Sequence, residues 1–253
     1  MTKKIIVAGC SFSAHYAKTI GLEQFPIWPE LLAKYFGLEL VNTARIGASN
    51  TQIFSKAIDA AIEYDDIEMI VVMWSEWDRM SFPYEGKEFS SMQPSWKSFS
   101  PETSYKTNTE NFLGCLEICK VMYDNKLSNL QGIVNSTMRL IWSFQSIMET
   151  LGIKYIHMQG PSPNIYEWHK VHDFAQQITK SPYCDLINNK FIGWPPVRFN
   201  AGWNMDDFFR FYAEGPFEKY TIGGDKDSHP NELGNEFIFN ILKNEYEKIY
   251  KAN

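Results

Sequence analysis

The sequence lacks the features that would assign it to a membrane or to nucleic acid. Its strongest apolar run, Ile67 to Trp74, is far shorter than the ~20 residues that a membrane-spanning helix needs. Basic residues are not in excess, since 24 Lys and Arg stand against 30 Asp and Glu, with a net charge of -6. Proteins that bind nucleic acid usually carry a clustered basic excess. We therefore expect neither a membrane nor nucleic acid as a partner.

Cysteines are also scarce, and the four present show neither metal-ligand pairs nor the density of a disulfide scaffold: Cys10, Cys115, Cys119 and Cys184. Gly9 has no glycine two residues later, so a dinucleotide fingerprint is missing. The apolar residues before Cys10 are fewer than the ~7–15 of a signal peptide's core. We expect a cytoplasmic protein that needs no metal or organic cofactor.

What is present is an alternation of short apolar runs and helical periodicities. The first 75 residues predict three strands, at the apolar runs Ile5 to Gly9, Leu38 to Val41 and Ile67 to Trp74, separated by helices at Trp28 to Phe36 and 51–63. This order is typical of a parallel sheet with right-handed crossovers. Ser49 or Asn50 is placed to cap the second helix.

The rest of the chain continues the pattern less regularly. Helices are predicted near 109–124, 127–151, 169–180 and 231–250, with a fourth strand at Ile153 to Met158. A single domain over 1–253 is expected, with a long insertion near 79–108 and an aromatic, loop-rich cap near 161–222.

Two polar stretches lie where chemistry is expected. Ser11 follows the first strand, at the sheet edge where α/β proteins bind ligands, and is a candidate nucleophile. His229 precedes the last helix, whose positive end disfavours a second proton on imidazole, so His229 is a candidate base. Asp227 or Asp225 could orient it. The alternative is that both stretches merely cap helices, with Asn231 capping the last one.

In their order, these motifs resemble the blocks of the SGNH (GDSL-like) hydrolases. The matching stretches are Gly9-Cys10-Ser11-Phe12-Ser13, Gly47, Ser75-Glu76-Trp77-Asp78 and Asp227-Ser228-His229-Pro230. The resemblance implies a flavodoxin-like three-layer α/β/α sandwich with a mainly parallel sheet. It also implies a triad of Ser11, His229 and Asp227, with the backbone N–H groups of Ser11 and Gly47 in the oxyanion hole.

The sequence departs from the family pattern in the third block. Ser75 and Trp77 stand where the family has glycine and the oxyanion asparagine, and Cys10 replaces the usual aspartate of the first block. Asn50, Ser75 or Arg79 could supply the missing donor, and Arg79 could instead bind an anionic substrate group or form a surface ion pair. We expect Asn50, Ser75, Trp77 and Arg79 to line the substrate site.

The predicted function is an esterase that cleaves a small ester through a Ser11 acyl-enzyme, with an O-acylated carbohydrate as the favoured substrate class. The alternatives are an acyltransferase that uses the same triad, and a hydrolase-like module that binds a glycan or a partner protein.

Rival sites rest on single residues or loose clusters. Cys10 could be the nucleophile, and His15 could serve as a local base. A metal cluster could form from Glu167, His169, His172 and Asp173, although a solvated helix face explains them as well. His157, inside an apolar strand, is expected to be a hydrogen-bonded core residue.

Overall fold

The computed structural model describes residues 2–84, 95–99, 121–122, 124–125, 129–163 and 171–251. Its main feature is a parallel five-stranded sheet in the order β2-β1-β3-β6-β7. These strands are β1 (Lys4–Ala8), β2 (Glu39–Asn42), β3 (Ile67–Trp74), β6 (Lys154–Gln159) and β7 (Phe191–Ile192). A separate antiparallel pair joins β4 (Met80–Tyr84) to β5 (Ser95–Phe99).

The helices whose bounds lie in the described part of the chain accompany the sheet. They are α1 (Tyr16–Thr19), α2 (Trp28–Phe36), α3 (Asn50–Glu63), α4 (Leu130–Leu151), α5 (Val171–Lys180), α6 (Met205–Phe211) and α7 (Glu232–Tyr250). Helix α2 packs on α7, whereas α3 packs on α4 and α4 on α5. The predicted three-layer α/β/α architecture is confirmed.

The central strands are apolar because helices cover both of their faces. Ile5, Ile6 and Val7 of β1 are fully buried, as are Val71 and Val72 of β3. Since side chains on a strand alternate between faces, consecutive buried residues require cover on both sides. The sheet thus lies at the centre of the hydrophobic core, and reactive polar side chains are expected in the loops that follow its strands.

Helix boundaries follow local signals in the sequence. Gly37 ends α2 in the left-handed conformation, with φ of 66°, which glycine adopts without a Cβ clash. The Ser49 hydroxyl accepts from the Gln52 N–H at the start of α3, and the Asn231 side chain accepts from the Gly234 N–H at the start of α7. Both caps stand directly beside loops that carry predicted site residues.

Some elements were not predicted from the sequence, and one predicted helix lies mostly outside the described residues. The sequence showed no period in the insertion, yet β4 and β5 form a hairpin there, and α6 lies in the segment expected to be loop-rich. The helix expected near 109–124 falls almost wholly outside the described residues. None of the described helices is both long and apolar enough to cross a bilayer. The single-domain assignment stays a prediction.

Candidate active site

The first part of the site is the turn that leaves β1. Ser11–Ser13 form one turn of 3-10 helix, closed by the Ser13 N–H donating to the Cys10 carbonyl at 3.0 Å. A Cβ at position 9 would collide with the Ser13 side chain, so only glycine allows the chain to fold back this tightly. Ser11 is thereby held at the carboxyl end of β1, where the sequence places it.

The second part is the loop before α7. The Ile222 N–H donates to the His229 carbonyl at 2.9 Å, and the Gly223 N–H donates to the Asp227 carbonyl at 3.0 Å. These bonds fold the loop back on itself, and the Asn231 side chain donates to the Thr221 carbonyl at 3.1 Å. Asp227 and His229 therefore sit on a braced turn rather than on a free loop.

The two parts meet in a continuous chain of hydrogen bonds. His229 Nε2 lies 2.7 Å from Ser11 Oγ, and His229 Nδ1 lies 2.6 Å from Asp227 Oδ1. The Asp227 carboxylate also accepts from the His229 backbone N–H at 3.1 Å. A serine, an imidazole and a carboxylate in this order are the arrangement in which a hydroxyl is activated as a nucleophile.

Asp225, the other acidic candidate, has a different partner. Its Oδ1 lies 2.5 Å from Arg210 Nη1, and its side chain is 75% exposed. The carboxylate next to His229 is that of Asp227, whose side chain is 22% exposed. The orienting position predicted for either residue is therefore occupied by Asp227.

The environment of His229 keeps its ring neutral. Burial lowers the pKa of His229; the Asp227 carboxylate opposes this and the Arg79 charge adds to it. A neutral imidazole whose Nδ1 proton is held by Asp227 presents its Nε2 lone pair to the Ser11 hydroxyl. This is the protonation state that a general base requires.

Two aromatic rings enclose the imidazole: Phe12 belongs to the first motif, whereas Tyr16 belongs to no motif that stands out in the sequence. The Tyr16 ring stacks on His229 with centroids 3.6 Å apart and an interplanar angle of 15°. Phe12 lies tilted at 46°, with its centroid 5.3 Å from that of His229. A small, open cleft beside them is lined by Ser11, Tyr16, Phe25, Ile27 and His229, among others.

Gly47 and Asn50 occupy the loop between β2 and α3. Gly47 has φ of 77°, a left-handed conformation that favours glycine. The buried Asn50 amide donates to the Ser75 carbonyl at 3.1 Å and accepts from the Ser75 N–H at 2.7 Å. Asn50 therefore fastens this loop to the end of β3, and its side-chain donors are already engaged.

The third block surrounds Arg79 with acceptors. Arg79 Nη1 donates to Ser75 Oγ at 3.1 Å and to the Ala48 carbonyl at 3.4 Å, and Nη2 forms an ion pair with Glu76. Burial raises the pKa of Glu76 to about 7, although Arg79 opposes the rise. Trp77 is buried, with its indole N–H donating to Gln159 at 2.8 Å. The substrate-binding roles of these residues stay predictions.

The rival candidates have other surroundings. Cys10 is 1% exposed, and burial raises the pKa of its thiol, which disfavours the reactive thiolate. His15 pairs with Glu30 at 3.0 Å on the surface. His157 is fully buried and its Nδ1 accepts from the Trp74 indole at 3.2 Å, as expected of a core histidine.

The residues considered as a rival metal site fall only partly within the described part of the chain. Glu167 and His169 lie outside them, and His172 and Asp173 are exposed on α5. Among the residues that the structure describes, no group of three or more His, Cys, Asp or Glu side chains could hold a metal ion.

Comparison with known proteins bears on the fold. A protein assigned to the lipolytic G-D-S-L family, from Desulfitobacterium hafniense DCB-2, matches over 96% of this chain and 99% of its own, with a TM-score of 0.51 and 11% identity. The esterase EstA from Pseudoalteromonas sp. matches over 99% and 100%, with a TM-score of 0.47 and 12% identity. An acetyl xylan esterase, AlAXEase, matches over 95% and 98%, with a TM-score of 0.46 and 10% identity.

No family model matches the sequence, and no curated protein does. The first of the three structures shows that this chain has the fold of the G-D-S-L, or SGNH, hydrolases. Such a fold hosts many activities, so function has to be argued from the site itself.

Proposed function

We propose that this chain is a serine esterase of the SGNH type that cleaves a small ester through a Ser11 acyl-enzyme. The observation that carries the proposal is the hydrogen-bond chain from Asp227 through His229 to Ser11, with distances of 2.6 and 2.7 Å. A module that only binds has no need of a neutral imidazole aligned on a serine hydroxyl, so this geometry favours an enzyme.

The reaction follows from these contacts. Ser11 Oγ attacks the ester carbonyl while His229 Nε2 takes its proton, and Asp227 stabilises the imidazolium that forms. His229 then gives the proton to the departing alcohol, which leaves the acyl group on Ser11. A water molecule attacks this second ester with His229 again as base, and release of the acid restores the Ser11 hydroxyl.

The oxyanion needs donors at the site of negative charge. We assign the backbone N–H groups of Ser11 and Gly47 to this role, and Arg79 as the third donor in place of the family's asparagine. Arg79 is the better candidate than Asn50 because its guanidinium has five N–H donors and keeps some beyond its contacts with Ser75, Ala48 and Glu76. The two N–H donors of the Asn50 amide face the Ser75 and Glu76 carbonyls. The Arg79 charge also influences the pKa of both His229 and Cys10, which supports a position next to the Ser11 turn.

The open cleft beside Ser11 favours a short acyl group, because its walls are built from compact side chains and rings rather than a long apolar channel. Arg79, whose charge reaches His229, is a polar group that suits an alcohol rich in hydroxyl groups. An O-acylated carbohydrate is therefore the substrate class that we favour.

A fluorophosphonate probe tests the nucleophile directly. The expected result is a single adduct on Ser11 that is lost in Ser11→Ala and retained in Ser13→Ala. Ser13 is a matched control because it lies in the same turn and is fully buried, and its hydroxyl has no hydrogen-bond partner among the described residues. Labelling that persists in Ser11→Ala would refute the assignment.

Product analysis separates the remaining alternatives. Hydrolysis of a p-nitrophenyl acetate substrate yields acetate, whereas an acyltransferase supplied with a sugar acceptor yields the acylated sugar. Absence of both products, together with saturable glycan binding, would favour the binding module.

A further inference from the structure

Tyr16 lies against the base and close to its acidic partner. Its ring is stacked on the His229 imidazole, with centroids 3.6 Å apart. Burial and the charge of the nearby Asp227 carboxylate raise the pKa of the Tyr16 hydroxyl. Tyr16 belongs to α1, an element that supplies no member of the proposed triad.

A parallel ring responds to the charge of the imidazole. The π face of tyrosine attracts a cation, and more strongly where water is excluded. His229 is cationic only after it has taken the proton from Ser11, so the stack stabilises that state more than the resting one. An interaction that strengthens only as the reaction proceeds raises the rate rather than the affinity.

We propose that Tyr16 is a positioning residue for the base: its ring fixes the plane of the His229 imidazole and stabilises the imidazolium, and its hydroxyl holds the Asp227 carboxylate. This inference rests on the proposed esterase function, in which His229 gains and loses a proton in each cycle.

Other charged groups also face this base. Asp227 contacts it directly and the charge of Arg79 reaches it, while His15 and Lys18 line the same cleft. A test has to change Tyr16 and leave these groups in place.

Two variants separate the ring from the hydroxyl. Tyr16→Leu keeps an apolar cover over the imidazole but removes the π face, so we expect Ser11 labelling by the fluorophosphonate to slow about tenfold and the His229 midpoint to fall by about 0.5 pH unit. Tyr16→Phe keeps the stack and frees the Asp227 charge to act on the imidazole. Its labelling rate should stay within about threefold of the parent, and the midpoint should rise.

The measurements are the labelling rate as a function of pH and an NMR titration of the His229 ring protons. Tyr212→Leu, at an exposed tyrosine of α6's C-terminal end, is the control and should match the parent. Midpoints that stay at the parental value in both variants would overturn the inference, even with labelling reduced. If Tyr16→Leu does not fold, an unchanged midpoint in Tyr16→Phe overturns it alone.

The proposed esterase function is tested separately from the role of Tyr16. A parent protein that the probe does not label would refute the esterase, and the NMR midpoints would still decide whether Tyr16 acts on His229.

Discussion

Replacing Glu76 by glutamine should remove much of the pH dependence of folding. Glu76 is 5% exposed, and its burial raises its pKa from 4.5 to about 7, with Asp78 and Asp206 adding to the rise. The folded state therefore binds a proton more tightly than the unfolded state. The protonated Glu76 carboxyl stabilises the folded state; this stabilisation is fully present below pH 4.5 and is lost as pH rises through about 7.

The magnitude follows from those two values. Between pH 5 and pH 8 the Glu76 carboxyl should cost the folded protein about 2.5 kcal/mol, because most of the interval between its unfolded and folded pKa is crossed there. The pKa of Asp206 is raised to about 6, so Asp206 also makes the free energy of unfolding depend on pH. This dependence is present in both the parent and Glu76→Gln, and it cancels when the two proteins are compared.

Urea unfolding at pH 5 and pH 8 measures this difference. The free energy of unfolding of Glu76→Gln should change by about 2.5 kcal/mol less between the two pH values than that of the parent. Glu236→Gln, at an exposed position of α7, is the matched control and should keep the parental change. Equal changes in the parent and Glu76→Gln would refute the reasoning.

Three further substitutions probe the site and its support. Asp227→Asn should lower kcat for p-nitrophenyl acetate by about 10⁴-fold, because the amide selects the wrong His229 tautomer, whereas Asp225→Asn should stay near the parent. Arg79→Met should lower kcat by about 100-fold, as expected for a lost oxyanion donor, with little change in KM. Asn235→Ala should lower the free energy of unfolding in urea by about 2 kcal/mol, because the buried amide accepts from one backbone N–H and donates to two carbonyls.

For each of these substitutions, one result would contradict the prediction. Equal losses in the two aspartate variants would mean that the orienting carboxylate is misassigned. If Arg79→Met kept the parental kcat, the third oxyanion donor would have to be a group other than Arg79. An Asn235→Ala protein as stable as the parent would show that water replaces the lost bonds.

The sheet, and the place of Ser11 at its edge, could be predicted from sequence because short-range signals specify them. The apolar runs of β1 and β3 need cover on both faces, and the caps Ser49 and Asn231 mark where the loops end. Since the carboxyl ends of parallel strands lie at one edge of a sheet, the position of Ser11 directly after β1 is enough to assign it to that edge.

The β4–β5 strand pair and Tyr16 could not be predicted from the sequence, for two different reasons. Strands β4 and β5 pair with each other, and their stretch of sequence alternates too weakly to reveal it. The role of Tyr16 depends on its stacking partner, His229, which lies 213 positions further along the chain. Likewise, the sequence alone does not show which group the Asn50 amide binds; the structure shows that it donates to the Ser75 carbonyl.

The Ser11 to His229 bond spans a sequence separation of 218 residues. During translation at about 5–20 residues per second, His229 is therefore joined to the growing chain roughly 10–40 s after Ser11. For that interval the serine is an ordinary alcohol, since its proton acceptor has not yet been synthesised. In the proposed enzyme, the nascent chain therefore holds Ser11 without a base until His229 has been added and the last loop has folded against β1.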